Sequence, residues 1–160
     1  MEENNENAKY LIQAIEREKN KHILELNISK IKSEKNDILQ KLQLSGDELK
    51  QYHQKLKEYR YISNPDDLHH GSYVRWFPLK GIIDADNHNR GFQLKLTNGG
   101  IITSICYDED HQDDEDIFAC IKVKNNCNRF FCLRTNECVI FQKLSDEEKL
   151  LLNIIKYLDK

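Results

Sequence analysis

Apolar residues recur at alternating steps of four and three along residues 24–59, and this repeat limits the folds open to the chain. Starting at Leu24, nine of eleven core positions are apolar over five heptads, which is the pattern of a coiled coil. Lys35 and Ser45 interrupt a seam that otherwise consists of Leu24, Ile28, Ile31, Ile38, Leu42, Leu49, Tyr52, Leu56 and Tyr59. A lone helix cannot bury such a stripe. The repeat therefore predicts a long helix that forms a homo-oligomer through residues 24–59.

A capping signal inside the repeat supports a second interpretation. The run Ser45–Glu48 (SGDE) fits the S-x-x-E capping box, and Gly46 could end one helix. Residues 1–60 would then form an antiparallel helical hairpin that packs on itself. The heptad phase nevertheless continues across Gly46, since Leu42 and Leu49 stay in step, and a continuous helix is the preferred prediction.

The middle of the chain has a composition typical of β-structure. Residues 62–143 hold both prolines, five of the six glycines and all five cysteines. Alternation and turn signals predict six strands: Tyr73–Phe77, Phe92–Thr97, Ile101–Tyr107, Ile117–Lys124, Arg129–Arg134 and Val139–Lys143. The run Asn98–Gly100 predicts a tight hairpin between the second and third. Short strands with hairpin connections indicate a small SH3-like antiparallel β-barrel, with an OB-like barrel as the alternative.

The last residues are again helical in composition. Ser145 suits an N-cap and Glu148 completes a capping box. We expect this C-terminal helix to pack on the barrel. The predicted fold is therefore α+β, with a helical coiled-coil stalk at 1–61, a small β-barrel at 62–143 and the C-terminal helix at 144–160.

The charge distribution predicts where a partner binds. The net charge is −3, but seven of the twelve acidic residues in 61–143 lie in the run Asp108–Asp116. Without this run the segment is +4, so a local basic face is expected. The acidic run itself fits a solvated loop, with a docking loop for a basic partner as the alternative. The predicted partner-binding residues are the basic side chains of the strand region: Arg75, Lys95, Lys122, Lys124 and Arg129.

Motifs of catalysis and metal binding are missing from the sequence. There is no G-x-G-x-x-G, G-x-x-x-x-G-K-[ST], G-x-S-x-G or H-E-x-x-H, so we expect neither an enzyme nor a cofactor. The cysteines follow C-x13-C-x6-C-x4-C-x5-C without the C-x2-C pair of zinc sites. Five cysteines with no signal peptide indicate free, reduced thiols. The longest apolar run is Leu150–Leu152, so no membrane span is predicted.

The stretch Tyr61–Lys143 carries a family resemblance. Three segments, "YISNPDDLHHGSYVRWFPLK", "LTNGG" and "NRFFCLRTNECVIFQK", resemble small uncharacterised proteins of large nucleocytoplasmic DNA viruses of protists. Those proteins have no assigned activity, so the resemblance transfers no functional residue. It implies a viral protein, located in the virion or in the host cytoplasm. The N-terminus (MEENNENAKY) is acidic and polar with no apolar h-region, so secretion is not expected.

Two binding functions follow from these patterns. The first hypothesis is a non-enzymatic oligomeric scaffold or adaptor, whose stalk presents barrel heads to an unknown protein partner and gains avidity from repetition. The alternative is a nucleic-acid-associated protein that contacts phosphates through a basic face of the barrel. An accessory subunit of an enzyme is a third interpretation. The sequence leaves open the partner, the oligomer number and the helix orientation.

Overall fold

The structure is a computed structural model of the 160-residue chain, and it describes residues 9–10, 12–13, 15–17, 23, 26–79, 94–107 and 118–158. Its helices are α1 (Ile28–Lys41), α2 (Gly46–Lys55) and α3 (Asp146–Leu158). Its strands are β1 (Tyr59–Tyr61), β2 (Tyr73–Pro78), β3 (Gly100–Tyr107), β4 (Ala119–Lys124), β5 (Phe130–Arg134) and β6 (Cys138–Lys143). Short 3-10 helices occur at Pro65–Asp67 and Thr135–Glu137. The chain divides into two compact units, Met1–Leu49 with Leu144–Lys160, and Lys50–Lys143.

The prediction of a long N-terminal coiled-coil helix is wrong. Helix α1 ends at Lys41, and Gln43 has a left-handed backbone with φ of 52°. A capping box then opens α2, since Ser45 N–H donates to a Glu48 carboxylate oxygen at 3.1 Å and Glu48 N–H donates to Ser45 Oγ at 3.3 Å. The capping signal is thus confirmed, and Gly46 begins a helix instead of ending one. Local capping chemistry breaks the helix although the heptad phase continues across the break.

The residues of the predicted seam do not form one helical stripe. Tyr52 contacts the Phe77 ring at 5.1 Å between centroids, and Tyr59 belongs to a strand. Leu24 lies outside the described residues. Four of the others are buried and four are half-buried: Ile31, Tyr52, Leu56 and Tyr59 in the first group, Ile28, Ile38, Leu42 and Leu49 in the second. Contacts inside one chain therefore use much of the apolar surface that the repeat had assigned to a partner helix.

The predicted SH3-like or OB-like barrel is also wrong. The described strands form one six-stranded antiparallel sheet in the order β1-β6-β2-β3-β4-β5. Because β6 inserts between β1 and β2, strands β1 and β5 become opposite edges. Within the described ranges no pairing joins these two edges, so the sheet stays open.

Most predicted strands are confirmed with shifts of one residue at their ends, and Ile117, the predicted start of the fourth, lies outside the described residues. Phe92–Thr97 is the exception, because its described part, residues 94–97, is not a strand. Thr97 N–H donates to the Trp76 carbonyl at 3.0 Å, and Gly100 pairs with Val74. Residues on both sides of Asn98–Gly99 therefore lie along β2, and the predicted hairpin at Asn98–Gly100 is wrong.

One face of the sheet holds the larger apolar core. Its buried residues alternate with outward ones along the strands and are Val74, Trp76, Ile102, Ile121, Val123, Leu133 and Ile140, joined by Ile62 and Leu68. At its margin, Asp67 accepts hydrogen bonds at its carbonyl from the Arg60 guanidinium (2.9 Å) and the Gln142 amide (3.4 Å). Arg60 and Gln142 are both buried, and these bonds stabilise their polar groups away from water.

On the opposite face, aromatic side chains pack over β1, β6 and β2. There Tyr52 of α2 meets Phe77 edge-on, Phe77 meets Phe141 at 6.2 Å and Tyr61 meets Phe141 at 6.0 Å between ring centroids. Edge-to-face aromatic contacts of this kind stabilise beyond simple burial. On the same side of the sheet, the side chains of β3, β4 and β5 are largely exposed.

The unit that contains both termini has its own small core. Ile23 and Ile31 cluster with Leu151 and Leu152 of α3. The predicted capping box of α3 is confirmed, since Ser145 N–H donates to a Glu148 carboxylate oxygen at 2.6 Å and Glu148 N–H donates to Ser145 Oγ at 3.1 Å. The predicted place of this helix on a barrel has no counterpart, because the described sheet is open. Across the described residues, no helix has the length and apolarity to cross a membrane.

Candidate functional site

Strand register places three rows of side chains on the outer side of β3, β4 and β5. Antiparallel pairing sets residues of neighbouring strands directly opposite each other. The rows are Ile101–Lys124–Phe130, Ser104–Lys122–Cys132 and Cys106–Cys120–Arg134. We call these nine positions the basic face, because they include three cations and no acidic residue.

A bulge in β3 keeps this face continuous. Thr103 is the extra residue between the paired positions Ile102 and Ser104, and its hydroxyl donates to the Lys122 carbonyl at 3.0 Å. An inserted residue shifts the alternation of a strand by one. As a result Ile102 and Ile105 both pack toward the core, while Ser104 joins the outer side.

The cations of the basic face are accessible to a ligand. Lys122 and Lys124 are exposed, and neither has an ion pair with a described residue. The Arg134 side chain is 59% exposed and pairs with Glu137 at 3.8 Å. Such an exposed pair is weakly held, so the arginine can exchange this partner for another anion.

An exposed aromatic ring lies among these cations. Phe130 is 60% exposed, although a phenylalanine is ordinarily among the more buried residues. The Lys124 ammonium lies 5.9 Å from its ring centroid, a cation–π distance. A free aromatic face beside cations can stack on a planar group while the lysines hold an anion.

A cleft adjoins the turn between β4 and β5. It has a volume of about 560 Å³ and is lined by aromatic rings, asparagines and backbone: Tyr73, Trp76, Thr97, Asn98, Gly99, Asn125, Asn126, Cys127 and Phe131. Phe131 and Trp76 lie 6.0 Å apart between ring centroids. Amide and carbonyl groups beside aromatic rings offer both hydrogen bonds and stacking to a planar heterocycle.

The structure brings together only two of the predicted partner-binding residues, Lys122 and Lys124. Arg75 lies on β2, with its guanidinium carbon 5.6 Å from the centre of the Tyr59 ring. Lys95 is exposed outside regular structure, and Arg129 is exposed in the turn before β5. The acidic run Asp108–Asp116 lies outside the described residues.

Sequence reasoning missed Phe130 and Arg134 as members of this face. The signal was present, because both alternate with Leu133 and Phe131 along one strand. Which side chains they lie beside follows only from the β4–β5 register, which sets Phe130 opposite Lys124 and Arg134 opposite Cys120.

The thiols of the basic face are also grouped by register. All five cysteines of the chain are free, and the Cys120 and Cys132 sulfurs lie 2.7 Å apart. Among the residues that the structure describes, no set of three or more His, Cys, Asp or Glu side chains is arranged to hold a metal ion.

Comparison of the chain with protein-family models, curated proteins and solved structures found no match. The functional assignment therefore depends on the geometry of the basic face.

Proposed function

We propose that this protein is a non-enzymatic binding module whose basic face binds single-stranded nucleic acid. The observation that carries the proposal is the row that places Lys124 between Ile101 and Phe130, with Lys122 two residues along the same strand. Lysines supply phosphate contacts, and the exposed ring supplies a sequence-tolerant stacking surface for a base.

The open sheet favours a single strand over a duplex. Single-stranded bases can splay out and stack on aromatic side chains that project from a sheet, whereas duplex bases are already stacked on each other. The basic face is made of strands, so its side chains project from a sheet in this way.

Fluorescence anisotropy with a labelled oligothymidylate and the full chain tests this function. Because binding displaces counterions, affinity should fall steeply between about 50 and 200 mM salt. The double variant Lys122→Glu/Lys124→Glu should bind more weakly by at least tenfold. Each lost phosphate contact should also reduce the slope of log K against log salt by about 0.7.

A second double variant, with the same change in net charge at a different place on the surface, is the control. Lys50 and Lys57 are exposed lysines outside the basic face, and Lys50→Glu/Lys57→Glu makes the same change in charge. If both double variants lose affinity equally, the binding is non-specific electrostatics and the proposed site is wrong. Equal competition by polyglutamate and by oligothymidylate would instead identify an acidic protein partner.

A further inference from the structure

We infer that Cys120 and Cys132 form a dithiol site that takes up oxidation from a low-molecular-weight disulfide such as glutathione disulfide. The two sulfurs lie 2.7 Å apart, closer than the roughly 3.5–4.0 Å at which packed carbon atoms meet, and a disulfide bond measures about 2.05 Å. Only a small movement of the two side chains is therefore needed to form a disulfide bond between them.

Sheet register explains why these two thiols meet. Cys120 pairs with Arg134 and Cys132 pairs with Lys122, so the cysteines are diagonal neighbours on one side of adjacent strands. Diagonal neighbours of an antiparallel pair lie about 7–8 Å apart, and somewhat less between their Cβ atoms; here the two side chains close that separation to 2.7 Å between sulfurs. The turn at residues 125–129 connects the same two strands, so one hairpin holds both thiols.

Access and charge also favour reaction at this site. Cys132 is exposed and Cys120 half-buried, so a small disulfide can reach the pair from solvent. Lys122 and Arg134 lie directly opposite the two cysteines. Glutathione disulfide carries carboxylates, and these cations attract it.

The two thiols have different roles in the exchange. The hydrogen bond with Cys132 is the main reason that the pKa of Cys120 is raised to about 11, so Cys120 keeps its proton at neutral pH. The thiolate of Cys132 attacks one sulfur of the small disulfide, forms a mixed disulfide and releases one thiol. Cys120 then loses its proton to solvent and attacks the Cys132 sulfur, which releases the second thiol. Two protein thiols are oxidised and one small disulfide is reduced to two thiols.

Cys106 is the competing thiol. It pairs directly with Cys120 across β3 and β4 and is exposed. The short contact of Cys120, however, is with Cys132, so we expect the bond between β4 and β5 to form first.

Oxidation of the full-length, fully reduced chain tests the inference. The chain is incubated with glutathione disulfide, quenched in acid, and analysed by intact mass and peptide mapping. We expect the loss of two hydrogen atoms per chain and a cross-linked peptide that joins Cys120 to Cys132. Cys120→Ser and Cys132→Ser should each abolish this product and leave glutathione adducts, whereas Cys106→Ser and Cys127→Ser should retain it.

The same reaction in denaturant is the control for folded geometry. Unfolded chains should give a mixture of pairings, since all five thiols are then accessible. A Cys106–Cys120 product in the folded chain, persistent glutathione adducts, or the same mixture with and without denaturant would each overturn the inference. Mapping of the wild-type chain decides the question even if a serine variant fails to fold.

Discussion

Arg75 and Tyr59 stack on each other, with 5.6 Å between the guanidinium carbon and the ring centre. The sequence had assigned Arg75 to a partner-binding surface and Tyr59 to an oligomerisation seam. Both belong to the unit Lys50–Lys143, and Tyr59 is buried. Burial raises the pKa of the Tyr59 hydroxyl, and the positive charge of Arg75 opposes that rise. The contact gives both side chains a structural role inside the fold.

Arg75→Ala should lower the free energy of unfolding by about 1–2 kcal/mol, because it removes a partly buried cation–π contact and the packing of the arginine stem. Oligonucleotide affinity should stay near that of the unmodified protein. Arg129→Ala is the control, since Arg129 is exposed and its backbone bonds to Asn125 remain; its effect should be under about 0.5 kcal/mol. Urea denaturation measures both. If Arg75→Ala keeps full stability but loses oligonucleotide binding, Arg75 contacts the ligand and its structural role is wrong.

Two glycines with similar φ angles should respond differently to alanine. Gly99 has φ of +85°, and a Cβ there would lie 2.1 Å from the Val74 carbonyl oxygen. Gly71 has φ of +82° with open space around it. A left-handed residue with a side chain costs about 1–2 kcal/mol, so Gly71→Ala should lose about that much. Gly99→Ala adds a backbone clash and should lose clearly more.

Thermal unfolding of both variants, beside Gly46→Ala, makes this comparison. Gly46 opens α2 and nothing lies near its Cβ position, so alanine should stabilise slightly through its better helix propensity. Equal losses for Gly71→Ala and Gly99→Ala would contradict the close approach of residues 98–100 to β2.

Local signals predicted the elements better than their assembly. The capping boxes at Ser45 and Ser145 were readable because each needs only a serine and a glutamate three residues later. The heptad repeat led to the wrong prediction of a coiled coil because apolar spacing does not show which residues bury the apolar side chains. Here Phe77 of the sheet packs on Tyr52. The sheet order was beyond the sequence, since β1 is three residues long and pairs with β6, the last strand of the chain.

Only part of the basic face could be predicted, because the sequence shows alternation along one strand but not the register between strands. Alternation along β4 places Lys122 and Lys124 on the same side of the sheet, and the sequence shows this directly. Phe130 and Arg134 join them through register, which depends on the turn where Asn128 has φ of 59°. Without that turn geometry, an exposed phenylalanine cannot be told from a core one.

Lys35→Met should stabilise the protein. Lys35 is 5% exposed, and burial, followed by the nearby charge of Lys32, lowers its pKa. At pH values between the lowered pKa of Lys35 in the folded chain and the usual lysine pKa near 10.4, this residue binds more protons in the unfolded chain than in the folded one. The free energy of unfolding should therefore rise with pH through this window, and the methionine variant should lose that contribution.

The expected gain for Lys35→Met near neutral pH is on the order of 1 kcal/mol, since an apolar side chain of similar length avoids the desolvation cost. Lys41→Met changes an exposed lysine of the same helix and should give no comparable gain. Urea titrations from pH 7 upward check both. A stability that falls for Lys35→Met would mean that the ammonium is held by contacts worth more than its desolvation.

Phe130 should contribute to oligonucleotide binding through its ring and independently of salt. Stacking of one base on an aromatic side chain contributes about 1–3 kcal/mol, so Phe130→Ala should weaken binding by that amount while the salt slope stays unchanged. The ring is 60% exposed, and its removal should leave the unfolding transition nearly unaltered. Phe130→Leu keeps an apolar side chain without a π-face and should lose most of the same affinity, whereas Ile101→Ala, in the same row, should lose little. If the leucine variant binds as tightly as the original protein, the contact is general hydrophobic packing and the stacking role of Phe130 is wrong.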